Sequence, residues 1–315
     1  MLFWLKLLIA CSAFYFIWQR AFQRENTLLV LDRFREAFHG PAGFSLLTAF
    51  LLMPLNWLLE AKKWQLVVSR LESTRFARCV EAVFAGLTVS FFTPNRIGEY
   101  AGRVIYLHAG NRIKGALLTV VENTGQLVVT LVLGLLAFPV FMHAYAGISL
   151  SFVVSSALLA LACAWLAVSW YLRASSLIES LSKVKWMRKL ERFLTIASFL
   201  DRQLMLKLLA ISLLRFIVFS LQFYLLLVAF QVRLPVLPSM LMIVLAFFVM
   251  TLVPTFAFTD LGIRGAAGTF FFAYLTPHLS GVVYASLALW LINLVLPAAA
   301  GTLLLAFATP ENKTT

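Results

Sequence analysis

The chain has 315 residues, 62% of them hydrophobic and 12% charged, with a mean hydropathy of +0.92. That balance excludes an ordinary soluble domain. Its continuous apolar runs approach the ~20 residues that cross ~30 Å of hydrocarbon, and they lack the alternation of an outer-membrane barrel. The net charge of +13 would suggest nucleic acid in a soluble protein. Here no soluble domain exists to bind it, and basic loops against anionic lipid account for the excess. Cys11, Cys79 and Cys163 lie in or beside apolar runs and read as packing residues. His39, His108, His143 and His278 show no metal-ligand spacing, and no phosphate-binding glycine loop is present, so neither metal nor cofactor is expected.

In chain order, Leu2–Trp18 is a first span that is retained, since no small-residue cleavage site precedes Gln19. Residues 19–42 form a polar connection, with Leu28–Phe38 periodic enough to lie along the interface. Gly43–Leu59 is the second span, and Glu60–Arg78, with Lys62, Lys63, Arg70, Arg75 and Arg78 among apolar residues, reads as an interfacial amphipathic helix. Cys79–Phe92 and Ile97–Leu107 follow as short apolar arms. Gly115–Phe138 is a full span containing Glu122, Asn123 and Gln126, and Pro139–Leu150 is an uncharged turn. Ser151–Leu172 spans again, residues 173–202 are strongly basic, and Gln203–Phe230 is a long span with Arg215 and Gln222 on one face. Pro238–Val253 and Leu261–Leu275 repeat the short-arm pattern before the last span, Gly281–Ala308, which contains Asn293.

The two short-arm pairs are organised around polar tips. The first runs Thr93-Pro94-Asn95-Arg96-Ile97-Gly98-Glu99-Tyr100-Ala101-Gly102-Arg103, and the second includes Asp260, Gly262 and Arg264. Pro94 breaks any helix arriving from Cys79, and fourteen and eleven residues at ~1.5 Å each give arms of about 21 and 16 Å, too short to cross. The expected fold is therefore an all-α polytopic membrane protein of six full spans plus two re-entrant helical hairpins. It divides into a first membrane repeat, 1–150 with its hairpin at 79–109, and a second, 151–315 with its hairpin at 238–275. Three full crossings per half make the repeats inverted, with both termini cytoplasmic and the basic stretches 60–78 and 173–202 inside. The competing topology takes 93–114 and 255–280 as surface loops between eight complete spans; charge distribution separates the two only slightly.

Charged side chains at membrane depth cost ~3 kcal/mol or more each, so they need partners or water. Arg96, Arg103, Arg215 and Arg264 are the candidate ligands of a lipid phosphate, because a guanidinium stays protonated and donates bidentately. Glu99 belongs to the same binding set; with Glu122 it would hold the arginines when the site is empty or carry a coupling proton. Pro94, Asn95, Gly98, Asn123, Gln126, Asp260 and Gly262 are supporting residues of tip and span. A duller reading has Glu99 merely neutralising Arg96 or Arg103, with Asn56, Gln222 and Asn293 as interhelical glue.

The run Pro94-Asn95-Arg96-Ile97-Gly98-Glu99, followed by Arg103, resembles the Pro-Gly-Arg-Ile-Gly-Glu motif of the transmembrane region of lysylphosphatidylglycerol synthases and their stand-alone flippase-like relatives. The chain departs from that family's Glu-Arg…Asp span motif at Asn123 and Gln126, and from its Gly-x-Gly-Val-Arg-Glu tip at Asp260 and Gly265. These residues contain no counterpart of the synthases' soluble aminoacyltransferase domain. The resemblance thus implies lipid translocation rather than synthase chemistry, and a protein of the plasma (bacterial inner) membrane. The expected function is flippase-like movement of an anionic phospholipid or lipid-linked precursor between leaflets. The alternatives are an intramembrane enzyme acting on lipid head groups, and a membrane partner of a separate synthase; a homo-oligomer is a further candidate partner.

Overall fold

A computed structural model describes residues 42–91, 93, 97–176, 199–253 and 257–307, together with 32, 35 and 38. The expected first span Leu2–Trp18, most of the 19–42 connection and the centre of the basic 173–202 stretch lie outside the described residues. The described chain is helical throughout: α1 Gly43–Val68, α2 Phe76–Phe91, α3 Gly98–Val104, α4 Arg112–Tyr145, α5 Leu150–Leu172, α6 Arg202–Ala229, α7 Val236–Leu252, α8 Ala257–Phe272, α9 Leu279–Trp290 and α10 Leu296–Phe307. A 3-10 turn, Ala109–Asn111, leads into α4, and one π-turn, Leu291–Val295, joins α9 to α10. Among the described residues five helical stretches are long and apolar enough to cross a membrane: Gly43–Val68, Ala109–Tyr145, Leu150–Leu172, Arg202–Ala229 and Leu279–Leu304. These correspond to five of the six expected spans, and the chain is an integral membrane protein.

Two boundaries differ from expectation. The segment Glu60–Arg78 is not one interfacial helix: α1 runs on through Val68, and α2 begins only at Phe76. Glu60, Lys63 and Trp64 are consequently buried rather than interfacial. The helix need not surface at its first charges because neighbouring helices pair them. Likewise Pro139–Leu150 is not a turn throughout, since α4 continues to Tyr145 with Pro139 inside it. Proline is tolerated there as it is in α1 at Pro54, in keeping with helices packed in an apolar medium. The chain reverses instead near Gly147, whose φ of 65° is open to glycine.

α1 and α6 form the central antiparallel pair. Gln222 donates to the Ala49 carbonyl (2.9 Å) near one end, Arg215 meets Asn56 in the middle, and Arg70 pairs with Asp201 (2.6 Å) at the other. Asp201 caps α6 by accepting from the Leu204 amide, a standard N-cap contact. The short helices pair as α2 with α3 and α7 with α8, and each first arm leans on the opposite half of the chain: α2 on α10, α7 on α4. Thr88 makes the first of these contacts, donating to the Ala298 carbonyl (2.9 Å). α5 packs chiefly on α4 through Ala160, Ala164 and Tyr171, and leaves Leu158, Leu159, Trp165 and Trp170 exposed as a lipid-facing surface does.

Two apolar cores flank the middle of α6. Its N-terminal part, through Leu204, Met205 and Leu208, packs with Trp64, Val67, Leu118 and Tyr171. Its C-terminal part, through Phe223 and Leu226, packs with Phe247, Phe272 and Leu289. Between them lies Arg215, and with it the polar centre of the molecule.

Candidate functional site

The first tip is drawn tight by small residues. A Cβ on Gly102 would stand 2.6 Å from the Gly86 Cα and 2.7 Å from the Ala85 carbonyl oxygen, so α2 and α3 touch backbone to backbone. Thr93 joins their ends: its hydroxyl accepts from the Gly98 amide (2.8 Å) and lies 3.3 Å from the Val89 and Ser90 carbonyls. This close approach leaves the seven-residue α3 buried at Gly98, Gly102 and Arg103, and it directs Arg103 inward. Pro94, Asn95 and Arg96 lie outside the described residues.

Arg103 is 1% exposed and is held by three carboxylates from three helices. Its Nη2 donates to Glu60 Oε1 of α1 (2.5 Å) and to Glu99 of its own helix, and its Nη1 donates to both oxygens of Glu122 of α4 (3.2 and 3.3 Å). The guanidinium also stands over the Trp64 ring, 5.6 Å from its centroid. Glu60 is the hub of the other contacts. Its second oxygen accepts from Lys63 (3.1 Å) and from Arg215 Nη1, and Lys63 stands 3.8 Å from Glu122. Arg215 adds donations from Nε to the Asn56 side-chain oxygen (3.0 Å) and carbonyl (3.3 Å), and lies over the Trp57 ring at 5.9 Å. Glu60, Glu99 and Glu122 thus face Lys63, Arg103 and Arg215 in one balanced cluster. Burial of this kind is sustained only when every charge is compensated.

The second tip carries a separate pair. Arg264 Nη2 donates to Asp260 one turn earlier in α8 (3.0 Å), both side chains being over nine-tenths buried. The Arg264 Nε and Nη1 atoms are buried and have no hydrogen-bond partner among the described residues. Leaving such donors unpaired costs ~1–3 kcal/mol or more. Gly262 is buried in the same helix.

A cavity of about 490 Å³ separates the cluster from the second tip. Its polar wall includes Glu60, Glu99, Asn123, Gln126, Arg215, Asp260 and Arg264, and its apolar wall combines Phe216, Phe219 and Phe247 of α6 and α7 with Trp57, Leu87 and Leu127 of α1, α2 and α4. Of the residues singled out in sequence, the fold therefore gathers Glu99, Asn123, Gln126, Arg215, Asp260 and Arg264 around one void. Arg103 and Glu122 lie behind that wall, bound to each other, and Arg103 is bound to Glu60 as well. Gln222 and Asn293 bond to the carbonyls of Ala49 and Leu289, away from the cavity. Sequence reasoning missed Glu60 and Lys63 and placed Asn56 among structural residues. The spacing Asn56, Glu60, Lys63 marks one face of a helix that continues past Leu59, and that was the available signal.

The family model described as the lysylphosphatidylglycerol synthase TM region matches residues 3–301, nearly the whole chain. No curated protein and no solved structure matches.

Proposed function

The chain belongs to the lysylphosphatidylglycerol synthase TM region family, and from that premise we propose that it is a flippase-like transporter. It moves an anionic phospholipid or a lipid-linked precursor between the leaflets of the plasma (bacterial inner) membrane, both of its termini being cytoplasmic. The central cavity is the head-group site. Arg264 and Arg215 are its phosphate ligands, with Arg96 as a third from the first tip. Glu99 and Glu122 keep Arg103 in place beside them, while Asn123 and Gln126 supply amide contacts.

The observation that carries this reading is Arg264: a guanidinium on the cavity wall with two buried donors unpartnered and its charge offset by Asp260. A phosphate oxygen satisfies such donors by charge-assisted hydrogen bonds. Depth agrees. Arg70 and Asp201 are partly exposed at one end of the α1–α6 seam, at 43% and 47% of their side chains. Glu60 lies eight residues before the end of α1 at Val68, roughly 12 Å at ~1.5 Å per residue and well into a ~30 Å hydrocarbon layer whose edge is near Arg70.

The architecture proposed with this function is six spans and two re-entrant hairpins in two inverted repeats, 1–150 and 151–315. Three observations support it: the antiparallel α1–α6 pair at the centre, the short arms α2–α3 and α7–α8, and the exchanged contacts of α2 with α10 and α7 with α4. Rocking of one repeat on the other about the α1–α6 seam would open the cavity to either side.

The test is transport in liposomes holding fluorescent phosphatidylglycerol, with leaflet distribution read by an impermeant quencher and head groups checked by mass spectrometry. The wild type is expected to move the lipid with its head group unchanged, and Arg264→Ala to slow movement at least tenfold. Equal rates for both would remove Arg264 from the site, and an altered head group would favour an enzyme.

A further inference from the structure

The buried cluster holds a balance that lipid binding must disturb. Arg215 serves two places at once: its Nη1 is bound to Glu60, yet the residue lines the cavity that would receive a phosphate. Its other bonds, from Nε to Asn56 and more distantly from Nη1 to Gln126 (3.5 Å), are to neutral groups. Glu60 is 2% exposed. When Arg215 turns from Glu60 to a phosphate, Glu60, Glu99 and Glu122 are left facing only Lys63 and Arg103. One uncompensated negative charge then remains where every charge must be paired.

Resting on the transport reading above, we infer that Glu60 is the coupling residue of the cycle: it takes up one proton when Arg215 transfers to the lipid phosphate, and releases it when Arg215 returns. The step balances. The Glu60 carboxylate plus one proton from the accessible aqueous side gives the neutral acid, the Glu60–Arg215 ion pair breaks, and an Arg215–phosphate ion pair forms. One anionic head group thus crosses together with one proton, an electroneutral symport. A carboxylic acid at Glu60 still accepts from Lys63 and Arg103, so the rest of the cluster keeps its partners.

Glu60 suits this role better than its neighbours. Glu122 is bonded to Arg103 and close to Lys63, neither of which lines the cavity, and Glu99 is bonded to Arg103. Glu60 alone of the three pairs with a cation that the cavity can take away. The charged groups facing it are Lys63 from its own helix, Arg103 from α3 with Glu99 beyond it, Glu122 from α4 and Arg215 from α6. The buried face of α2 contributes only the Cys79 thiol as a titratable group, and the π-turn contributes none.

The experiment sets a pH gradient across liposomes containing the protein and fluorescent phosphatidylglycerol. One proton per lipid predicts about tenfold accumulation in the alkaline-side leaflet per pH unit, insensitive to membrane potential. Glu60→Gln should abolish the bias, and Glu60→Asp, which keeps a titratable carboxyl, should retain it. Should Glu60→Gln fail to fold, the wild type and Glu60→Asp decide by infrared spectroscopy. Phosphatidylglycerol should bring up a protonated-carboxyl carbonyl band, and Glu60→Asp should move it. Lipid that crosses but distributes equally despite the gradient would overturn the inference and leave the transport reading standing; so would a bias that survives Glu60→Gln, or a band that Glu60→Asp leaves in place. Absence of any lipid movement would remove both.

Discussion

The two helical hairpins of this molecule handle the same problem, an arginine held in the protein interior, in opposite ways. In α2–α3, Arg103 is surrounded by Glu60, Glu99 and Glu122 and stands behind the cavity wall. In α7–α8, Arg264 has Asp260 one turn away, lines the cavity, and finds no hydrogen-bond partner for Nε and Nη1 among the described residues. The first arrangement fixes structure, because the guanidinium joins α1, α3 and α4. On the proposed transport reading, the second holds donors in readiness for a lipid phosphate, so that the saturated charge ties helices together and the one short of partners binds substrate.

Arg103→Ala should separate the two roles most sharply. It takes a partner from Glu60, Glu99 and Glu122 at once, and breaking a buried ion pair costs ~3–5 kcal/mol, so a large fall in the unfolding temperature of the detergent-solubilised protein is expected. Arg264→Ala should cost less, about 3 kcal/mol or below, since one carboxylate beside a cavity loses one partner. Its main effect should be on transport. If instead Arg264→Ala unfolds the protein and Arg103→Ala spares it, the contrast is inverted. Gly102→Ala should cost about 2 kcal/mol through overpacking against the Gly86 and Ala85 backbone, and should displace α3 enough to loosen Arg103. An unchanged unfolding temperature would show that the first hairpin does not depend on that close approach.

The smallest effect is expected at the exposed end of the α1–α6 seam. Arg70→Ala should change stability by less than about 1 kcal/mol, as exposed ion pairs do. The Leu204 amide hydrogen bond, with Arg70 beside it, holds the Asp201 carboxyl below its usual range. Its stabilising contribution is therefore present above the unfolded-state pKa and is lost as pH falls through the lower folded value. Unfolding of wild type and Asp201→Asn should converge only in that acidic window, and convergence at neutral pH would show that the charge of Asp201 adds nothing to the cap, since asparagine keeps the hydrogen bond to the Leu204 amide.

Much of this was legible in the linear chain. Five long apolar helices and the short arms of both hairpins follow from run length, because an apolar stretch of ~20 residues has few alternatives to a membrane helix. The close backbone approach at Gly98, where a Cβ would stand 2.6 Å from the Val89 carbonyl oxygen, is a matter of local chain, and it too was readable. What misled was charge. Glu60 and Lys63 read as the end of a span, since taken alone a helix bearing them belongs at the interface. Their burial rests on Arg103, 43 residues from Glu60, and on Arg215, 155 residues from it.

Hydrophobic run length and helix-breaking residues act locally, so a helical membrane protein with polar segments between short arms is written in the linear chain. Which charges neutralise one another, and which line a void, follows from how the helices pack. The ion pairs that bury Glu60 most completely reach it from other helices, Arg103 from α3 and Arg215 from α6, and no single segment contains both members of either pair.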